Sequence, residues 1–207
     1  MEFKEDILYY ELLNSQTIYN LLNIFHKETG LLINIFDLQG FIHINFFPDQ
    51  SQNPFCETIQ ECRHFQITCS NEDIFKMGKE AIILKKPLPY ICSSGLTDIV
   101  TPVLIKDVHI GNFITGQFRT SNQPESNFKE MLMSFPDKSK IKLLTKYYYS
   151  TRVLSDRDLI KVTDILSFMG NYVSTYGENF IYDYRNKFQG NDIIGRTKNY
   201  IRGNYQD

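Results

Sequence analysis

Tryptophan is absent from the 207 residues, although 16 phenylalanines and 13 tyrosines are present. Neither sign of charge is in excess: 22 basic against 24 acidic side chains leave a formal net charge of -2. That balance excludes a nucleic-acid surface spread over the whole chain. No run approaches the ~20 apolar residues that cross a bilayer. The start, Met1-Glu2-Phe3-Lys4-Glu5-Asp6, is acidic and lacks the apolar core of a signal peptide, so a cytoplasmic location without membrane contact is expected. Cysteine is scarce, with Cys56, Cys62, Cys69 and Cys92 only, and no Cys-x-x-Cys pair among them. In a reducing compartment these are expected as free thiols or ligands rather than disulfides. Gly-x-Ser-x-Gly, a Walker loop and His-Glu-x-x-His are all missing, so the common hydrolase, nucleotide and zinc-protease chemistries lack their residues. Of His26, His43, His64 and His109, only His64 lies close to a cysteine, two residues after Cys62.

What is present is an aromatic-rich chain able to line a pocket for an organic molecule. Apolar residues recur at helical spacing from Asp6 to about Lys27, and Gly30 ends that run. A strand over Leu31–Phe36, turn chemistry at Asp37-Leu38-Gln39-Gly40 and a return strand over Phe41–Phe46 form a hairpin. Pro48 to Pro54 is a polar loop, and Phe55 to Lys79 reads as two short helices carrying three cysteines. Strands are expected at Ala81–Leu84 and Leu88–Cys92, then a long hairpin of Ile99–Ile105 and His109–Phe118 about Lys106-Asp107. Short helices over Pro124–Phe135 and Ser139–Tyr149 follow. A longer helix starts near Ser155, with Asp158 completing a capping box. Its seam of Leu159, Val162, Leu166, Met169, Val173, Tyr176 and Phe180 fits either a helix lying on its own sheet or a dimer interface through 155–188. The layout is α+β: a central antiparallel sheet with helices on one face, as in PAS and GAF sensory domains.

The segment Tyr90-Ile91-Cys92-Ser93-Ser94-Gly95-Leu96-Thr97-Asp98 is followed by Pro102 and by Gly111-Asn112-Phe113-Ile114-Thr115-Gly116-Gln117-Phe118. Together with Cys56 and Cys69 this resembles the PocR-type sensory domain over about Leu12 to Phe118. The resemblance implies a PAS/GAF-related fold that senses small organic molecules, with simple alcohols and diols as the class of ligand. Ser93 stands where the family often has His, and Cys62 is extra. The implied ligand site comprises Cys56, Cys69, Cys92, Gly95, Leu96, Asp98 and Gln117, with Phe36, Tyr90 and Phe113 as walls. It is placed between the sheet and the helices that carry Cys56 and Cys69. No cofactor, metal or catalytic residue is expected. A thiol-based redox, metal or iron–sulfur sensor on the same cysteines is the competing reading, and a thiol enzyme is a third.

Near the end, Tyr200-Ile201-Arg202-Gly203-Asn204-Tyr205 resembles the first helix of an AraC-type DNA-binding domain. The expected organisation is a sensory domain over 1–154, a connecting and signalling helix over 155–190, and the start of an AraC-type domain over 191–207. DNA contact would then need a part beyond Asp207. A histidine kinase is the other regulator that the resemblance allows. Leu166, Met169 and Val173 are the expected signalling positions, with a charge at Met169 expected to uncouple the helix and leave the pocket intact.

Overall fold

The computed structural model describes residues 2–38, 42–44 and 53–204, with side chains at 2–7, 42–44, 70, 73–74, 187–196 and 198–204 excepted. Two helices open the chain, α1 (Glu2–Leu13) and α2 (Gln16–Thr29). The Ser15 hydroxyl caps α2 by accepting from the Ile18 N–H, and Gly30 closes it by donating to the His26 carbonyl at 2.7 Å. The strands β1 (Ile33–Phe36) and β2 (Ile42–Ile44) make the expected hairpin; its turn at 39–41 and the loop at 45–52 lie outside the described residues.

Next come α3 (Pro54–Gln60), α4 (Arg63–Ser70), a π-helical turn over Asn71–Met77, and α5 (Gly78–Leu84). Ala81–Leu84 is therefore helix, not strand. Short apolar runs do not reveal their period, and here Met77, Gly78 and Ala81 are buried while Ile83 is 82% exposed, which is helical spacing. The strands β3 (Leu88–Ile91), β4 (Thr97–Ile105) and β5 (Val108–Thr120) follow. Lys106 and Asp107, at φ 48° and 65°, form the β4–β5 turn. Helix α6 (Ser126–Ser134), a 3-10 turn at Lys138–Lys140 and α7 (Ile141–Ser150) lead to the short β6 (Val153–Leu154) and to α8 (Asp156–Asn204).

The sheet order is β2-β1-β5-β4-β3, antiparallel throughout, and β6 adds in parallel to the end of β5. Val100 pairs with Ile114, and Thr101 pairs with Phe113. Alternation then sends these two pairs to opposite faces. One face carries Ile99, Val103, Ile105 and Phe113 into a core with α2 and the first half of α8. The other carries Val100 and Ile114 against Met77 and Ala81. Helices thus cover both faces rather than one, because β4 and β5 bury apolar residues on both sides. A third cluster stands beside the sheet, where Phe128 stacks on Tyr148 at 3.7 Å between ring centres and Phe55 leans on both.

Ser155 accepts the Asp158 N–H at 3.1 Å and donates to its carboxylate at 2.7 Å, the capping box expected there. At ~1.5 Å per residue, the 49 residues of α8 extend about 74 Å. Its seam at Val162, Leu166, Met169 and Val173 is no more than 4% exposed and belongs to the core on the sheet. Gly177 continues this contact: a Cβ there would lie 2.4 Å from Ile105 Cδ1 and 3.0 Å from Leu12 Cδ2, so a larger residue would require the Ile105 side chain to shift. Met169 is therefore a core residue on the face opposite Val100 and Ile114, so a charge there is expected to disturb the packing of α8 on the sheet. The side chains of Tyr200–Asn204, and Tyr205–Asp207 altogether, lie outside the described residues. Among the described residues no helix is long and apolar enough to cross a membrane.

Candidate functional site

A cavity of about 570 Å³ lies between the Val100–Ile114 face of the sheet and the helices α3 and α4. The sheet contributes Asn34, Phe36, Asp98, Ile114 and Gln117 to its wall. The helices contribute Cys56, Ile59, Gln66 and Cys69, and the end of β3 contributes Cys92 and Ser94. Tyr147, Thr151 and Arg152 close the side towards α7 and β6. Cys56, Cys69 and Cys92 thus converge on one space although 36 residues separate the first from the last.

Cys92 is held by a tight turn. Its N–H donates to the Leu96 carbonyl at 2.8 Å, and the Gly95 N–H donates to the Cys92 carbonyl at 2.9 Å. The π-helical turn brings Glu72 to this loop, where its carboxylate accepts the Ser93 N–H at 2.7 Å. From the other side Asn127 donates to the Cys92 carbonyl at 3.0 Å, while Gln123 and Tyr148 donate to the Gly95 carbonyl. Burial, then the Asp98 carboxylate, raise the Cys92 thiol well above its ordinary value. Both effects favour the protonated thiol, which is the less nucleophilic form. Alkylation by iodoacetamide at pH 7.5 is expected to be slowest at Cys92, at least about tenfold behind Cys62. Peptide mapping of the timed reaction checks this, and Cys92 reacting first would contradict it.

Gln117 sits at φ 61° in a bulge, where Thr97 pairs with Phe118 and Asp98 with Gly116, so that Gln117 has no cross-strand partner. The Asp98 carboxylate accepts the Gln117 N–H at 2.9 Å. This turns the Gln117 side-chain and main-chain oxygens towards Asn53, which donates to them at 2.9 and 3.0 Å. Asn53 also donates to the Thr151 hydroxyl at 3.0 Å and caps α3 through the Phe55 N–H at 2.9 Å. One side chain thereby joins the bulge, the start of the Cys56 helix and the segment before β6. Asn53→Ala is expected to cost about 2 kcal/mol through loss of the cap and of two further bonds. Urea unfolding of the variant reads this directly.

Of the ten residues expected at the site, Phe36, Cys56, Cys69, Cys92, Asp98 and Gln117 line the cavity. Gly95 and Leu96 do not: Gly95 turns the chain against Phe128, and Leu96 is buried beside it. Phe113 faces the α8 core, one residue out of phase with Ile114. Tyr90 packs among Leu88, Val100 and Ile114 instead of on the wall. Cys62 lies at the N-terminal end of α4 and His64 packs edge-on to Phe65, both away from the cavity wall. Among the described residues no three metal-ligating side chains are grouped. Asn53, Ser94, Thr151 and Arg152 escaped sequence reasoning. The pair Asn53-Pro54 carried a signal, a cap followed by proline at the first helical position. Ser94 is 2% exposed, and its hydroxyl has no hydrogen-bond partner among the described residues.

Residues 11–178 match the model of a family described as the sensory domain found in PocR. Regulatory protein PocR of Salmonella typhimurium is 28% identical over 155 residues, which cover 72% of this chain and 50% of that protein. The chain therefore spans about half the length of the curated relative it matches. No solved structure matches the chain. The family match runs from the end of α1 into α8 and takes in every strand, the cysteine-lined cavity and the half of α8 packed on the sheet. The chain belongs to the family of sensory domains found in PocR.

Proposed function

We propose that the chain is the ligand-sensing module of a transcription regulator, that it binds a small uncharged organic molecule in the cavity, and that it does so without catalysis. The carrying observation is the cavity wall: three thiols, apolar Phe36, Ile59 and Ile114, and the buried, unpartnered Ser94 hydroxyl. A buried hydroxyl without a partner favours a ligand that supplies one. The wall carries one carboxylate, Asp98, and one guanidinium, Arg152, so its charges balance, which suits a neutral guest such as an alcohol or diol. The raised Cys92 thiol weighs against the redox reading, and no three metal-ligating side chains are grouped among the described residues.

The signal would leave through α8. Thr151 and Arg152 form cavity wall, β6 follows on the edge of β5, and Ser155 caps the helix. A ligand that favours one setting of this continuous segment over another biases α8, and equal affinity for both would shift nothing. DNA contact is assigned to an AraC-type part that the segment 191–207 would begin. A homodimer would use the outer face of α8, where Ile160 and Phe168 are 62% and 66% exposed, since the seam is occupied by the sheet.

Thermal unfolding with C2–C4 alcohols and diols tests the reading. A ligand at a hundred times its Kd stabilises by about 2.7 kcal/mol, which is roughly 5–10 °C in Tm for a chain of this size. Ser94→Ala is expected to weaken such a ligand about five- to tenfold. A panel without any saturable shift overturns the proposal.

A further inference from the structure

We propose that the chain carries a second binding site, for a small hydroxylated anion, between α8 and the free edge of β4. A cavity of about 370 Å³ lies there and shares no lining residue with the first. Its origin is in the sheet register. The strand β3 begins at Leu88, opposite Val100, so the stretch from Thr101 to Ile105 has no strand beside it on that edge among the described residues. Above it α8 presents Gly170, where a Cβ would find nothing nearer than 3.8 Å. At Gly177, one heptad on, a Cβ would come within 2.4 Å of Ile105 Cδ1, so the helix runs closer to its neighbours at that glycine and leaves room at Gly170.

Two further features point to a guest. Thr101 lines the space, is 2% exposed, and its hydroxyl has no hydrogen-bond partner among the described residues. Lys85, Lys86 and Lys106 surround the same space, against the carboxylates of Asp107 and Glu178. Asp107 is taken up by Lys85 at 2.6 Å, and neither Lys86 nor Lys106 has a carboxylate partner among the described residues. Ammonium groups at the rim with a hydroxyl at the base suit a phosphate or carboxylate that also bears a hydroxyl. A guest held by both β4 and α8 would act on the helix directly, as an input separate from the cysteine-lined cavity.

The test uses the whole chain, with inorganic phosphate and lactate titrated separately at ionic strength fixed by sodium chloride and with glycerol as the uncharged reference. Saturable shifts of the Thr101 and Gly170 amide resonances are expected with at least one of the two anions. A phosphate-only response identifies a phosphate guest, and a lactate-only response a hydroxy acid. The double variant Lys86→Glu/Lys106→Glu, altered only at exposed positions, should weaken the effect at least about tenfold. Thr101→Val should weaken it about three- to tenfold without lowering the Tm of the unliganded protein. The proposal is overturned if neither anion saturates, if the double variant responds like the parent, or if the shifted amides belong to the cysteine-lined cavity.

Discussion

Replacing Met169 by glutamate is expected to destabilise the whole domain by about 3 kcal/mol or more, not merely to silence its output. Met169 is 2% exposed and lies with Leu166 and Val173 in the core between α8 and the sheet. The substitution removes a side chain that fills this contact and puts an unpaired carboxylate in its place. Its neighbours in that cluster are apolar and offer the carboxylate no hydrogen bond. Urea denaturation should show the midpoint fall with little change in slope. The neighbouring Phe168→Glu, at a position 66% exposed, should stay within about 0.5 kcal/mol of the parent. A Met169→Glu protein as stable as the parent would mean that α8 does not lie on the sheet. Signalling is better tested at Phe168 and Tyr172, which point outward and leave the core alone.

Gly95→Ala is expected to be comparably damaging, at about 3 kcal/mol or more, although one methyl group is all that is added. Gly95 sits at φ 95°, a region that side chains disfavour. The new Cβ would stand 2.7 Å from Phe128 Cβ and 2.8 Å from the Phe128 backbone nitrogen. Backbone cannot swing aside as a flexible side chain can, so either the Cys92–Gly95 turn or α6 must move. Both support the cavity: the turn carries Cys92 and Ser94, and Asn127 on α6 holds the Cys92 carbonyl. Faster alkylation of Cys92 should therefore accompany the lowered urea midpoint. A Gly95→Ala protein with parental stability and a slow Cys92 would show that the turn has another shape.

Local chemistry was legible wherever one residue decides a local outcome. Gly30 ends α2, Lys106-Asp107 turns the long hairpin, and Ser155 with Asp158 starts α8, because caps and turns are settled within four or five residues of chain. The run Ala81–Leu84 misled for the complementary reason: four apolar residues fit a strand, and only the packing of Ala81 beside Met77 shows the helical period. The heptad-like seam of α8 was visible, but its partner was not. A strip of Val162, Leu166, Met169 and Val173 buries equally well against a sheet or a second helix.

The amino-acid sequence by itself determined the α+β class, the family and the order of elements apart from Ala81–Leu84 and the short β6. Tertiary structure alone decided which face of β4 and β5 meets α8 and which meets the cavity. Both faces are buried and both mix apolar with polar residues, so polarity does not mark an outside, and the one-residue offset between Phe113 and Ile114 is invisible without the register. It also decided that Asn53 reaches Gln117 and Thr151, 64 and 98 residues away. Such contacts depend on where the chain returns in space, and no local spacing encodes that.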